Sequence, residues 1–279
     1  MKIILVYRAT QFSPHSVKKD MHILEAVGHL LDDGHNVVEY RQEEDLVDEE
    51  RADLFLSMGR LPETLDILQK RQEEGCRVVN TPESVRMVTC RSGLDALMRA
   101  NGFPMAPLCV PTPGSDDMCD APDGGGWWLK KGSGPAECLY DVQYAATWDD
   151  VVRKLGYFKN RDIEDVNITA HVPGDVVKFY GVAGTDFFRY YYPTDDGQTK
   201  FGDEERNGRA HHYGFSPTAL HGEAERLAAL TGLQVYGGDC IVKDDGSFVI
   251  IDFNDWPSFA RCREEAAMAI ADIVKNLFK

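Results

Sequence analysis

Over the first eighty residues, short apolar runs alternate with longer stretches of helical spacing. Residues 3–7 (Ile-Ile-Leu-Val-Tyr) form an unbroken apolar run, the pattern of a strand buried on both faces. Between residues 16 and 33, Ile23, Leu24, Val27, Leu30 and Leu31 recur on one helical face, and Gly34 is placed to end that helix. Residues 36–40, 54–56 and 77–79 predict three further strands, the last two separated by a helix over 62–75. This alternation implies a small parallel α/β domain, residues 1–85.

Beyond it the rhythm changes. A helical segment over 81–101 runs into Gly102-Phe103-Pro104-Met105-Ala106-Pro107, whose glycine and prolines mark an exit into extended chain. Residues 111–126 are rich in Pro, Gly and Asp and read as a loop. Strands are predicted over 127–131, 166–172, 176–182 and 190–192, and helices over 148–155, 223–230 and 264–278. The segment 195–214 is polar, and no internal repeat is present.

The most informative stretch is 237–259, GGDCIVKDDGSFVIIDFNDWPSF. Two apolar runs flank Asp245-Gly246, a dipeptide that favours a two-residue hairpin turn. That turn places Asp239 directly opposite Asp252, with Asn254 on the same face and Phe253 on the other. Like charges directly opposite one another are destabilising and require a compensating partner. A hard divalent cation such as Mg²⁺, which takes carboxylate and amide oxygens, is the simplest one, giving Asp239, Asp252 and Asn254 as candidate ligands. Gly237 falls opposite Asn254, where a missing side chain leaves room for a ligand. A solvated acidic hairpin is the alternative.

Composition narrows the function classes. The chain of 279 residues is 43% hydrophobic and 27% charged, a balance that favours a folded globular protein over global disorder. Its net charge of −16 opposes nonspecific binding to nucleic acid or anionic membrane, so neither of those partners is expected, although a local basic pocket could still hold phosphates. Seven cysteines, odd in number and without a CxxC pair, fit reduced thiols and a cytoplasmic protein. The N-terminal apolar run is too short for a signal segment, and no apolar span is long enough to cross a membrane. Nothing in the sequence fixes an oligomeric state.

Other residues attract weaker readings. Arg8, Lys18, Lys19 and His22 fall near the carboxyl end of the first strand, where open α/β sheets bind ligands, although such residues more often form a solvated helix face. Lys130 ends a strand beside Gly132-Ser133-Gly134, a loop able to offer backbone N–H groups to phosphate, but P-loop spacing is absent. His211 and His212 lack a nearby acid or thiol to complete a metal set and read as surface or substrate-loop residues.

Taken in order, the Gly102-Phe103-Pro104 exit, the Lys130 strand, Ala170-His171-Val172-Pro173-Gly174, Lys178 and the hairpin ending in Asp252-Phe253-Asn254 resemble the ATP-grasp superfamily. The resemblance implies an α/β N-terminal domain followed by an α+β ATP-grasp fold of two subdomains over 86–279, with a lid at about 108–170. It implies ATP and Mg²⁺ as cofactors. Lys130 would touch the nucleotide phosphates, and the backbone of Ala170, His171 and Val172 the adenine edge. Asp175 and Lys178 complete the nucleotide side, and Asp239, Asp252 and Asn254 bind the metal. Arg91 stands where relatives usually carry a lysine, keeping the charge but changing the geometry of phosphate contact. Asp252 replaces a commoner glutamate, as in the inositol polyphosphate kinase branch.

The members most resembled, through Val172-Pro173-Gly174-Asp175, are similar to glutathione synthetase and the ribosomal-protein glutamate ligases. They imply a ligase with a small-molecule substrate, one that activates a small-molecule or peptide carboxylate as an acyl phosphate for attack by an amine, with Arg206, Arg209 or Arg261 holding that phosphate. The alternatives are an inositol-polyphosphate-kinase-like phosphotransferase and a noncatalytic nucleotide-binding module.

Overall fold

The computed structural model describes residues 1–12, 17–109, 125–196 and 206–278. Its first layer is the parallel sheet expected from the N-terminal pattern, with β1 (Lys2–Tyr7), β2 (Val37–Gln42), β3 (Leu54–Ser57) and β4 (Arg77–Val79) in the order β2-β1-β3-β4. Along β1, Ile3, Leu5 and Tyr7 enter one core while Ile4 and Val6 enter another. Both faces are covered, which is why the run is apolar without alternation. Helix α1 (Val17–Leu31) packs on the first face through Ile23, Leu24 and Val27. Helix α2 (Pro62–Glu73) packs on the second through Leu68.

The helical segment that follows is two helices, α3 (Pro82–Thr89) and α4 (Arg91–Ala100), broken at Cys90, whose ψ of 88° is not helical. The break makes Arg91 the first residue of α4. Next comes a small antiparallel sheet of β5 (Trp127–Lys131), β6 (Val142–Ala145) and β7 (Val166–Ala170), ordered β6-β5-β7. Helix α5 (Trp148–Lys159) backs it, with Val151 and Phe158 against Leu129 and Ile168. Strand β6 was not expected, because Val142, Gln143 and Tyr144 are all half-buried and carry no clear alternation.

The larger antiparallel sheet holds β8 (Asp175–Val182), β9 (Phe188–Tyr191), β10 (Val235–Val242) and β11 (Phe248–Asp255), ordered β11-β10-β8-β9. Helix α6 (Pro217–Thr231) lies behind it, where Leu220 and Leu227 meet Phe179, Tyr236 and Phe253. Helix α7 (Arg263–Leu277) returns to the start of the molecule. Its Ala266, Ile270 and Val274 share a core with Ile3, Leu5 and Ile23, so both ends of the chain are locked into one cluster.

The hairpin departs from expectation in an instructive way. Its turn is one residue longer than two: Val242 pairs with Phe248, Lys243 N donates to Ser247 O (2.8 Å), and Gly246 takes φ +80°. A turn of that length alone would put Asp252 on the core face. A β-bulge between Asp239 and Cys240 inserts Ile251 as an extra residue on β11 and restores the opposition of Asp239 and Asp252. Ile250 and Phe253 can therefore both face the core, while Ile251 and Asp252 both face the opposite side.

Among the described residues no helix is long and apolar enough to cross a membrane. Cys76, Cys90, Cys138, Cys240 and Cys262 are free thiols, whereas Cys109 is disulfide-bonded, which corrects the reading of all seven as reduced.

Candidate active site

A cavity of 530 Å³ opens between the small sheet and the large one. Alternation along the strands decides what lines it. On β5, Trp127 and Leu129 go to the core, leaving Trp128 and Lys130 for the cavity. On β10, Cys240 and Val242 go to the core, leaving Asp239 and Ile241.

One end of the cavity is charged. Arg91 Nη1 lies 3.1 Å from Asp252 Oδ1, and Lys178 Nζ lies 3.3 Å from Asp239 Oδ1. Lys130 Nζ donates to Ile251 O at 3.0 Å, the carbonyl that the bulge turns out of the ladder. Asn254 Nδ2 donates to Asp252 Oδ2 at 3.2 Å. The opposed carboxylates are thus balanced by side chains from two neighbouring elements, which corrects the reading of a divalent ion as their simplest compensating partner. Three cations face two carboxylates, a local positive excess in an acidic protein and a suitable receptor for phosphate.

The electrostatics follow from that packing. Burial first, and then Arg91, push the Lys130 ammonium down to about 8, against the opposing pull of Asp252 and Asp239. Burial works to raise the Asp252 carboxyl, but Arg91, Lys130 and Lys178 outweigh it and hold it below the ordinary carboxylate range. Asp252 is consequently ionised at neutral pH and able to act as an oxygen ligand.

The other end is aromatic. Trp128 Nε1 donates to His171 Nδ1 at 3.1 Å, which assigns the imidazole its Nε2–H form. Burial and then Arg206 lower the His171 pKa, keeping the ring neutral. Tyr144 meets both Trp128 and His171 edge to face, and the Arg206 guanidinium lies 3.5 Å above the Tyr144 ring. The N–H groups of Ala170 and His171 are already bonded, to Pro107 O and Gly126 O at 2.9 Å each. The Val172 carbonyl accepts from Asn207 Nδ2 at 3.4 Å, which leaves the carbonyls of Ala170 and His171 as the backbone acceptors able to meet a ligand.

Of the residues expected from sequence, Arg91, Lys130, Ala170, His171, Val172, Asp239, Asp252 and Arg206 line this one cavity. Lys178 and Asn254 join it through the two aspartates. Asp175 does not: its buried carboxylate accepts the N–H groups of His211 (2.7 Å) and Tyr213 (2.9 Å) and so anchors the following segment. Arg209 and Arg261 are exposed and do not line the cavity, Arg261 lying 5.2 Å from the Tyr191 ring centre. The three arginines therefore do not converge. His211 pairs with Asp175, and His212 with Asp195, away from any metal set.

Two glycine readings are corrected. The space at Gly237 is filled by protein, since an added Cβ would meet Pro257 Cγ at 2.8 Å and Tyr180 Cδ1 at 3.1 Å. Gly132 cannot offer its N–H to phosphate because it donates to Asp165 O at 2.8 Å. The side chains of Lys18 and Lys19 lie outside the described residues. Trp128 and Tyr144 are aromatic residues among the cavity-lining side chains that sequence reasoning missed. Trp128 could have been found, being two positions before Lys130 on the same strand face. Tyr144 lies on the strand that was not expected.

Among the described residues, no group of three or more His, Cys, Asp or Glu comes together to hold a metal ion. An ion here would be held by two carboxylates and one amide oxygen. That all-oxygen set fits Mg²⁺, which ordinarily keeps water or phosphate oxygens in its remaining positions.

No protein-family model and no curated protein matches the sequence. Solved structures do match its fold along the whole chain. D-alanyl-alanine synthetase A from Vibrio cholerae is 12% identical with a TM-score of 0.70, over 99% of this chain and 98% of that one. A RimK-domain ATP-grasp protein from Sphaerobacter thermophilus is 16% identical with a TM-score of 0.67, over 98% and 99%. The ATP-grasp ligase PsnB, solved with a phosphomimetic variant of its minimal precursor, Mg and ADP, is 15% identical with a TM-score of 0.60, over 99% and 98%. The chain has the ATP-grasp fold, an α/β layer followed by two α+β subdomains that enclose the cavity.

Proposed function

We propose that the protein is a Mg²⁺- and ATP-dependent ligase that activates the carboxylate of a small molecule or peptide as an acyl phosphate for attack by an amine. The observation that carries this reading is the two-ended cavity, with three cations and two opposed carboxylates at one end and an aromatic rim beside the Ala170 and His171 carbonyls at the other. A mononucleotide has the same polarity. The full-length likeness to D-alanyl-alanine synthetase A and PsnB supports ligation over other uses of the fold.

In this reading Trp128, Tyr144 and His171 would hold the purine, and the carbonyls of Ala170 and His171 would accept from its amino group. Lys130 and Arg91 hold phosphate oxygens. Their ammonium and guanidinium groups neutralise charge that builds on the transferring phosphoryl group and would otherwise repel the incoming carboxylate. Asp239, Asp252 and Asn254 would hold Mg²⁺, which would supply a Lewis acid to offset phosphate charge. The small sheet, forming one wall of the cavity, would keep water from the acyl phosphate.

The test is reactant dependence. With a panel of carboxylic acids and amines, ADP release that requires one of each supports ligation. Release with an inositol phosphate alone would transfer the assignment to a kinase, and nucleotide binding without turnover on any panel would reduce the protein to a binding module.

A further inference from the structure

At the carboxyl ends of β1 to β3, where an open parallel sheet usually receives a ligand, the structure places a carboxylate from the far end of the same chain. Asp255, the last residue of β11, is fully buried there. Its Oδ1 accepts from Arg60 Nε at 3.0 Å and its Oδ2 from Arg8 Nη2 at 3.2 Å. Arg8 also donates to the carbonyls of Asp255 (3.3 Å), Trp256 (3.2 Å) and Met58 (3.2 Å), and pairs with Asp20 at 3.4 Å. The backbone N–H groups of Arg60 and Leu61 are held by buried Glu43 at 2.6 and 2.8 Å, which fixes the residue that carries the second guanidinium.

We infer that Arg8 and Arg60 are positioning residues for the metal strand, acting through Asp255 on Asn254 and Asp252. This rests on the metal assignment proposed above. The bulge leaves Ile251 outside the ladder, so β11 is locally irregular where Asp252 must be aimed. Two anchors flank that stretch: Lys130 on the Ile251 carbonyl, and the Arg8–Arg60 clamp on Asp255 and the Trp256 carbonyl. Trp256 has φ +36°, a backbone conformation that a non-glycine residue keeps only when its surroundings over-determine it. A buried ion cluster is a poor device for stability alone, since apolar residues of similar volume often serve as well. It fixes directions, because each guanidinium fork accepts partners in only a few orientations.

Mn²⁺ titration of the full chain, followed by electron paramagnetic resonance, tests the inference apart from turnover. Near-UV circular dichroism confirms the fold of each variant. Arg60→Met and Asp255→Asn are expected to weaken Mn²⁺ binding about tenfold, the usual cost of losing a partner that orients a metal ligand. ATP affinity measured without metal should match wild type, and Arg60→Lys should recover part of the Mn²⁺ affinity. If Asp255→Asn fails to fold, Arg60→Met carries the test, because that side chain is partly exposed and Arg8 still holds Asp255. Wild-type Mn²⁺ affinity in a folded Arg60→Met protein overturns the clamp. Asp252→Ala separates the two readings: if it too leaves Mn²⁺ binding intact, the metal assignment itself falls.

Discussion

Asp252 and Asp255 sit three residues apart on one strand, and both are paired with arginine, yet they do different work. Asp255 is 0% exposed, and each of its oxygens meets its own guanidinium. Asp252 keeps 33% of its side chain exposed, shares one oxygen with Arg91 and the other with Asn254, and opens onto a cavity with spare positive charge. A carboxylate whose bonding is completed by its own protein is architecture. One whose surroundings hold more cation than it can use is waiting for a further anion. The contrast shows that the surplus, more than the ion pair itself, marks the functional end of the strand.

The comparison can be broken most severely at Asp255. Asp255→Ala leaves two guanidinium groups facing each other in a buried site, and losing one partner of a buried pair costs about 3–5 kcal/mol. Thermal unfolding should show a melting temperature lower by roughly 10 °C. An unchanged melting temperature would mean that the cluster is not structural.

The same carboxylate sets a pH dependence. Burial acts to raise the Asp255 pKa, but Arg60 and Arg8 overcome it and hold the group below the ordinary range. The folded value lies under the unfolded one, so the unfolded chain binds the proton more readily. Stability from this group is complete above the unfolded value near 4, and is lost as pH falls through the folded value. Acid titration of the folding free energy should therefore show a shallower fall below about pH 4 in Asp255→Asn than in wild type.

At the functional end the largest effect is expected on binding. Lys130→Met removes a charge-assisted contact to phosphate, worth about 1.5–3 kcal/mol, and ATP affinity measured by calorimetry should fall by roughly 10- to 100-fold. The smallest effect is the most diagnostic. Asp252→Ala should change folding stability by less than about 1 kcal/mol, as befits a partly exposed pair, while Mg²⁺-dependent ADP release disappears. A stability loss as large as that of Asp255→Ala would erase the distinction between the two aspartates.

Much of the site was legible because strand alternation and pairing are local rules. Lys130 at a strand end, the opposition of Asp239 and Asp252, and Asn254 beside them all follow from period-two geometry and a turn signal. The opposition was reached through a turn one residue too short, and the bulge that compensates for it has no sequence signature of its own. The three arginines went astray for a different reason. A charged side chain on a polar segment has no periodicity to aim it, so nothing local separates Arg206, which enters the cavity, from Arg209 and Arg261, which do not.

The sequence by itself determined most of the elements and the strand faces that carry Lys130 and Asp239 into the cavity, since each depends on residues near one another in the chain. Only the tertiary structure decided which cation serves which carboxylate. Arg91, Lys178, Arg8 and Arg60 reach their partners across separations of 161, 61, 247 and 195 residues. Electrostatic pairing depends on distance and burial, and both are set by how packed layers bring remote segments together.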